Sequence, residues 1–147
     1  MVTLRHFARD DVDSVQSNQY PNMTAAEIIK MIDEWNLCVY QGRRFEMFAI
    51  VSDSRIVGNI SMYERSHSIV STGIEIYPAE RKKGFAAESL AVLAAYAAER
   101  GYRMMMDQVR ADNYASLRLH DKLGFESDGY VYRNQKNHEV MLYLKRL

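Results

Sequence analysis

Three consecutive segments with the composition of β-strands lie in the middle of this chain, and they constrain its fold more than any other feature. The first two, RFEMFAIVS and RIVGNISMYE, are rich in β-branched and aromatic residues, and the intervening DSR suits a tight turn. The third, SIVSTGIEIYP, ends at Pro78, which has no N–H to donate to a neighbouring strand. We predict that these segments form an antiparallel meander.

Segments with helical periodicity lie before the meander. A short strand at Val2–Phe7 precedes two helical stretches, ARDDVDSVQSNQY and TAAEIIKMIDEWN. In the second stretch, Thr24 and Glu27 have the spacing of a capping box. This spacing predicts that the second helix begins directly after Thr24.

The last third of the chain alternates between helix and strand. Residues 85–100 predict a helix closed by Gly101, YRMMMDQVR predicts a strand, and NYASLRLHDKL predicts a helix that Asn113 caps. Two more strands follow and form a hairpin. The order of elements predicts an α/β fold in one domain over residues 1–147. Its sheet is mixed and mostly antiparallel, with about six to seven strands and helices on both faces.

Composition excludes several classes of protein. The 147 residues are 48% apolar and 26% charged, and the formal net charge is zero, which argues against nucleic acid as the main partner. No apolar run is long enough for a membrane span, so we expect no membrane contact and a cytoplasmic location. The single cysteine, Cys38, rules out an internal disulfide and a multi-cysteine metal site, and we expect no metal.

The junction YPAERKKGFAAE combines the end of a strand, a cluster of cations, one glycine and the start of a helix. Such a junction directs several backbone N–H groups at one point, with the positive end of the helix dipole behind them. Gly84 allows the backbone to approach a ligand closely, and Arg81–Lys83 add positive charge. The pattern indicates a phosphate or pyrophosphate site, while a solvated basic turn is the alternative. The usual phosphate-loop and dinucleotide motifs are absent.

A second motif, NYASLRLHDKLGF, follows the junction by about 30 residues. Together the two motifs resemble the GNAT superfamily of N-acetyltransferases, which carries Q/R-x-x-G-x-G/A at a strand–helix junction and then N-x-x-A/S in a helix ending in G-F. The resemblance is detailed over residues 47–126. The matching positions are Arg81, Gly84, Ala86, Asn113, Ser116, Gly124 and Phe125.

The resemblance implies that acetyl-CoA is the cosubstrate. Its pyrophosphate would bind the N–H groups of residues 82–87, and its pantetheine arm would run along Ile74–Tyr77, where that strand parts from YRMMMDQVR. The side chain of Asn113 would bond to the same arm. The residues that the resemblance assigns to the cofactor are Ile76, Tyr77, Arg81, Lys82, Lys83, Gly84, Phe85, Ala86, Ala87, Asn113 and Ser116.

Two residues are candidates for the acid and base of the reaction. His120 occupies the position where the family usually has a tyrosine acid, one helical turn after Ser116, and packing against the helix end is its alternative role. Glu75 lies mid-strand, with its side chain opposite in direction to those of Ile74 and Ile76, and is the candidate base. Its alternative role is an ion pair with a cation on the next strand.

The resemblance implies an N-acetyltransferase that transfers an acetyl group from acetyl-CoA to a primary amine in a ternary complex. The amine belongs to a small molecule, a polyamine or a protein N-terminus, and the enzyme is a possible homodimer. The alternative is a non-catalytic CoA-binding or interaction domain with the same fold, which the replacement of the tyrosine by His120 would favour.

Overall fold

The computed structural model describes all of residues 1–147 and contains eight strands and four α-helices. In chain order these elements are β1 Thr3–His6, α1 Val12–Asn18, α2 Ala25–Trp35, β2 Val39–Tyr40, β3 Arg43–Ser52, β4 Arg55–Glu64, β5 Ile69–Ile76, α3 Phe85–Glu99, β6 Met104–Arg110, α4 Tyr114–Lys122, β7 Val131–Arg133 and β8 Glu139–Arg146. Single 3₁₀ turns lie at Arg9–Asp11 and Pro78–Glu80. No helix is long and apolar enough to cross a membrane.

The strands form one sheet in the order β1-β3-β4-β5-β6-β8-β7, and β2 pairs with β3 beside this path. All pairs are antiparallel except β5 with β6. The predicted α/β class, the meander β3–β4–β5 and the C-terminal hairpin are confirmed. The strand beyond the predicted seven is β2, whose two residues are too few to show a period.

Helices cover both faces of the sheet because side chains of successive strand residues alternate between the faces. Phe48 and Ile50 of β3 belong to the larger apolar core, which includes Leu90 and Leu93 of α3. Ala49, between them in sequence, belongs to a smaller core with Ile28 and Ile32 of α2. The second core also contains Phe7 and Val15, so α1 and α2 cover the face opposite to α3.

Local signals set the ends of the helices as predicted. Thr24 and Glu27 form the capping box of α2. Gly101 follows the C-cap residue of α3, Arg100, and has a φ of 90°. The Oδ1 atom of Asn113 accepts from the N–H of Ser116 at the start of α4. At the turn between β3 and β4, Asp53 and Ser54 both have positive φ.

The pairing of β5 is unequal on its two sides. Its antiparallel register with β4 runs from Glu64 opposite Val70 to Gly58 opposite Ile76. Its parallel register with β6 covers only Ile69 with Met104 and Val70 with Met105. Beyond Val70 the two strands separate, so that the sheet opens into a fork. This fork is the parting that the resemblance implied.

Candidate active site

The open side of β5 presents unused backbone groups toward β6. In an antiparallel ladder, alternate residues bond to one neighbour and the residues between them face the other side. The N–H of Tyr77 donates to the carbonyl of Val57 at 2.9 Å. The backbone N–H and C=O groups of the odd-numbered residues of β5 are therefore directed toward β4. Ile74 and Ile76 therefore direct their N–H and C=O groups into the fork, where no strand pairs with them.

The turn into α3 presents six consecutive N–H groups, those of residues 82–87, that have no acceptor in the protein. The first helical bond runs from the N–H of Glu88 to the carbonyl of Gly84 at 3.1 Å. Gly84 has a φ of 84°, and a Cβ built there would meet no protein atom within 4 Å. Glycine is favoured here because of its positive φ, and the space beside it is open to a ligand. In this backbone conformation the six N–H groups lie together at the start of the helix and form a site suited to an anion. We call residues 82–87 the amide cluster.

The three cations beside the amide cluster have different surroundings. The Nε atom of Arg81 donates to the carbonyl of Ile76 at 3.1 Å, which joins the turn to the end of β5. Lys83 lies 3.2 Å from Glu80, whose carboxylate also accepts two hydrogen bonds from Arg55. The Arg55 guanidinium, together with Lys83, holds the pKa of the Glu80 carboxyl below its usual value. Lys82 has no ion-pair partner and is exposed, so its charge is available to a ligand.

The start of α4 lies at the same end of the fork as the start of α3. Each helix follows one of the two parallel strands, and parallel strands end at the same edge of a sheet. Asn113 uses its Oδ1 atom to cap α4, while its amide nitrogen has no partner in the protein. The hydroxyl of Ser116 lies 3.4 Å from the Nδ1 atom of His120. The structure therefore brings the two motifs of the sequence together across the fork.

Tyr77 differs from the other predicted cofactor residues because its backbone groups are already used. Its N–H bonds to Val57 and its carbonyl accepts from the N–H of Glu80 at 2.8 Å. Its side chain is buried and its hydroxyl donates to Gln19 at 3.3 Å, toward α1. Burial raises the pKa of the Tyr77 hydroxyl to about 12. Tyr77 thus anchors the end of β5 and offers no backbone donor to a ligand.

Glu75 is exposed and lies on the α1–α2 side of the sheet, as its position in the strand predicted. Its carboxylate is 3.4 Å from the amide nitrogen of Gln19, which follows α1. The cross-strand cation of the alternative interpretation is not there, because Asn59 stands opposite Glu75 on β4. The Glu75 carboxylate is therefore open to an amine that approaches on this face.

His120 lies inside the protein beside the fork and is only 5% exposed. Its Nε2 atom is 2.9 Å from Oδ2 of Asp107, and its Nδ1 atom is 2.8 Å from the carbonyl of Ser116. The ring packs edge-on against Phe125, with 4.7 Å between ring centroids. Burial lowers the pKa of His120, but the hydrogen bonds to Asp107 and to the Ser116 carbonyl outweigh burial and leave it above 6.5.

The sequence analysis missed Asp107 and Thr72, which contact each other at the fork. The backbone N–H of Thr72 donates to Oδ1 of Asp107 at 2.8 Å, and its hydroxyl donates to Oδ2 at 2.8 Å. The available signal was a single acidic residue within the apolar strand MMMDQVR, since a buried carboxylate requires partners.

The sequence model of the acetyltransferase (GNAT) domain family matches residues 2–126. An uncharacterized N-acetyltransferase of Bacillus subtilis strain 168, the SPbeta prophage-derived YokL, is 30% identical over 139 residues, which cover 88% of this chain and 78% of that protein. The chain belongs to the GNAT family of acetyltransferases. It is thus an acyltransferase, and its reaction is the transfer of an acetyl group to an amine.

Solved structures of the family share the fold. A ribosomal-protein α-N-acetyltransferase in complex with coenzyme A superposes with a TM-score of 0.84 at 18% identity, covering 99% of this chain and 94% of that one. A spermidine N-acetyltransferase from Vibrio cholerae in complex with CoA and spermine has a TM-score of 0.75 at 18% identity, covering 99% and 95%. The spermidine enzyme is also described as a dodecamer.

Proposed function

We propose that this enzyme binds acetyl-CoA across the fork and transfers the acetyl group to a primary amine that approaches from the α1–α2 face. The observation that carries the proposal is the coincidence of two unsatisfied donor sets at one end of the sheet. The amide cluster has six N–H groups without an acceptor, and the backbone groups of Ile74 and the N–H of Ile76 are unpaired beside it. A ligand with a diphosphate and an extended amide-containing arm matches both sets.

In this arrangement the pyrophosphate accepts from the amide cluster, and Lys82 adds charge. The pantetheine arm continues along β5, where its amide groups pair with the free N–H and C=O of Ile74 as a short extra strand. The N–H of Ile76 stays free for the reacting carbonyl, because only the carbonyl of Ile76 has a partner, Arg81. The free amide nitrogen of Asn113 donates to the same arm from the other side of the fork. Arg81 helps indirectly, because its bond to the carbonyl of Ile76 holds the turn against the strand.

The chemistry requires a neutral amine and a stabilised oxyanion. An amine with a pKa of about 10.4 is almost entirely protonated near neutral pH, so a proton acceptor accelerates the reaction by typically 10²–10⁴-fold. Glu75, directly or through a water, removes that proton. The amine nitrogen then attacks the thioester carbonyl, and the N–H of Ile76 donates to the developing oxyanion. The C–S bond breaks as the tetrahedral intermediate collapses, and the surplus proton of the nitrogen passes through water to the departing thiolate, so that the products are the acetylated amine and the CoA thiol.

The acceptor is a primary amine whose ammonium form is attracted to the exposed Glu75 carboxylate. Enzymes with similar structures have different acceptors: one is a spermidine N-acetyltransferase in complex with spermine, and another is a ribosomal-protein α-N-acetyltransferase. Both acceptors present a primary amine. The remainder of the acceptor would contact α1, α2 and the residues between them, which lie on the same face as Glu75.

The test compares two glycines with the same backbone conformation. Gly84 and Gly129 have φ values of 84° and 78°, and a Cβ at either position meets no protein atom within 4 Å. Calorimetric titration with CoA is expected to show binding to the parent and to the Gly129→Val variant, and none to Gly84→Val. Equal affinity in the two variants would contradict the proposed site.

Catalysis is tested separately from binding by release of free thiol from acetyl-CoA with a panel of amines. The panel includes spermidine, amino acid amides and short peptides with free N-termini. Release with at least one amine, abolished by Gly84→Val, is the expected result. CoA binding without thiol release on any amine would instead support the non-catalytic alternative.

A further inference from the structure

Four residues connect β5, β6 and α4 at the point where the sheet opens: Thr72, Asp107, Ser116 and His120. We propose that Thr72, Asp107 and His120 form a positioning network that sets the width of the cofactor slot. The inference rests on the proposed function, because that function places the cofactor in this slot. It assigns to His120 a role different from that of an acid.

Asp107 takes the place of the next backbone bond between β5 and β6. Val70 is the last residue of β5 paired with β6, and Thr72 is the next one whose N–H faces that strand. This N–H donates to Oδ1 of Asp107 at 2.8 Å instead of to a main-chain carbonyl. A side chain thus lies between the two strands, and the strands diverge where it is inserted.

The hydrogen-bond partners define the charge of the pair. The carbonyl of Ser116 can only accept, so the Nδ1 atom of His120 carries a hydrogen. The Nε2 atom faces a carboxylate that already accepts two hydrogen bonds from Thr72, so it donates as well. Both ring nitrogens of His120 therefore donate, so the ring is an imidazolium beside the carboxylate of Asp107, and the two residues are only 5% and 4% exposed.

A buried ion pair with all its hydrogen bonds formed is suited to holding a geometry. Neither ring nitrogen of His120 points into the fork with a free hydrogen, because both hydrogens are used within the protein. Transfer of one of them to a thiolate would break the pair inside the core. His120 acts instead on Asp107, which holds Thr72 and hence the first residues of the open edge of β5.

The chain offers a matched control in a second buried carboxylate. Glu46 is 1% exposed and contacts His6 at 3.0 Å, Arg44 at 3.2 Å and the hydroxyl of Tyr96 at 2.7 Å. It lies on β3, which is paired on both sides and is separated from β5 and the fork by β4. Loss of its carboxylate therefore destabilises the protein without reaching the cofactor slot.

The experiment measures CoA affinity by calorimetry in Asp107→Ala, Asp107→Asn and Glu46→Ala. Asp107→Ala is expected to weaken CoA binding by about tenfold or more, since the edge of β5 loses its support. Asp107→Asn can still accept from the N–H of Thr72 and is expected to restore affinity to within about threefold of the parent. Glu46→Ala is expected to bind CoA as the parent does, at a temperature where all variants are folded.

Two outcomes would overturn the proposal. One is an unchanged CoA affinity in Asp107→Ala, and the other is an equal loss of affinity in Asp107→Ala and Glu46→Ala. If Asp107→Ala does not fold, Thr72→Val serves in its place, because it removes only the hydroxyl donor. It is expected to weaken CoA binding by a few-fold, about the effect of one hydrogen bond, and an unchanged affinity would again overturn the proposal.

His120→Gln separates the positioning role from the acid role. Positioning predicts weaker CoA binding together with a lower rate, whereas an acid predicts a lower kcat with CoA affinity intact. Amide hydrogen exchange at Thr72 needs no cofactor and tests the network by itself: protection in the parent and its loss in Asp107→Ala are expected. A parent that does not bind CoA while showing this protection would refute the proposed function and leave the network in place.

Discussion

The two ends of α3 use the same backbone device for different purposes. A glycine with positive φ flanks each end, Gly84 at 84° and Gly101 at 90°. At the C-terminal end, the N–H groups of Gly101 and Tyr102 donate to the carbonyls of Ala98 and Ala97. At the N-terminal end, the amide cluster donates to nothing in the protein. One end closes on itself, and the other is left for a ligand.

The side chains around the two ends differ in the same way. Near the C-terminal end, the hydroxyl of Tyr96 bonds to buried Glu46, and that of Tyr102 bonds to Glu64. The guanidinium of Arg100 stacks 3.3 Å from the centroid of the Tyr96 ring. Near the N-terminal end, Lys82 stands in solvent without a partner. Polar groups that are satisfied internally stabilise the fold, whereas unsatisfied ones at a helix start indicate a binding site.

The largest expected effect is on the free energy of unfolding, from a change near the C-terminal end of α3, where the polar groups are satisfied within the protein. Glu46→Ala removes the carboxylate that three polar groups share, and loss of a hydrogen bond to a charged group costs about 1.5–3 kcal/mol. The cost stays in this range because Arg44 and His6 are partly exposed, so water can replace the carboxylate. Urea unfolding is expected to show this loss, while calorimetry shows unchanged CoA affinity. A weaker CoA affinity in this variant would break the division between the two ends.

Acid is expected to weaken the interactions of Glu46 near the C-terminal end of α3. Burial raises the pKa of the Glu46 carboxyl, but the hydrogen bonds from Tyr96, Arg44 and His6 outweigh burial and hold it below 4.5. The stability that Glu46 contributes is therefore complete above pH 4.5 and is lost as the pH falls through its folded-state pKa. Thermal unfolding of the parent and of Glu46→Gln should accordingly differ most near neutral pH and converge in acid. Parallel curves at every pH would contradict this.

The paired glycines give a smaller and more selective effect. Replacement of Gly84 or Gly101 by Ala places a Cβ in the left-handed region, which costs about 1–2 kcal/mol in each case. Both variants are expected to lose similar stability in urea, but only Gly84→Ala is expected to weaken CoA binding. If Gly101→Ala weakened CoA binding equally, the amide cluster would not explain the affinity.

The smallest expected effect concerns the unpaired cation. Lys82→Ala removes one exposed charge from the amide cluster, and an exposed ion pair with a ligand contributes about 0.2–1 kcal/mol. CoA affinity is expected to fall by a few-fold in low salt, and the difference should shrink as salt screens the charge. Lys30, exposed on α2, provides the control, because Lys30→Ala should leave CoA affinity unchanged at every salt concentration.

Much of the fold was predictable because it depends on local patterns. Neighbouring residues determine the strand and helix periods, the Thr24 capping box and the Gly101 cap. The structure confirms these features. Strand β2 was not predictable, since Val39 and Tyr40 are strand only through their pairing with β3. The first motif likewise showed where donors would cluster, because the groups involved are consecutive in sequence.

The surroundings of His120 could not be predicted in the same way. Its partner Asp107 is 13 residues away on another element, and Thr72 is a further 35 residues earlier. Such contacts depend on how β5, β6 and α4 meet, which no local pattern records. The same holds for Glu75, whose neighbour Gln19 lies 56 residues earlier in the chain. Roles for the acid and base thus stay predictions, while the places of these side chains are now defined.

The open side of β5 has a consequence for the protein when CoA is absent. Most sheets have unpaired backbone groups only on their edge strands. Here the edge strands β1 and β7 are short, with four and three residues. The longer unpaired edge instead lies inside the sheet, along the part of β5 that β6 does not pair with. An extended segment of another molecule can pair with this edge when CoA is absent. Bound CoA would cover this edge, so purified enzyme is expected to aggregate more slowly during storage with CoA than without it.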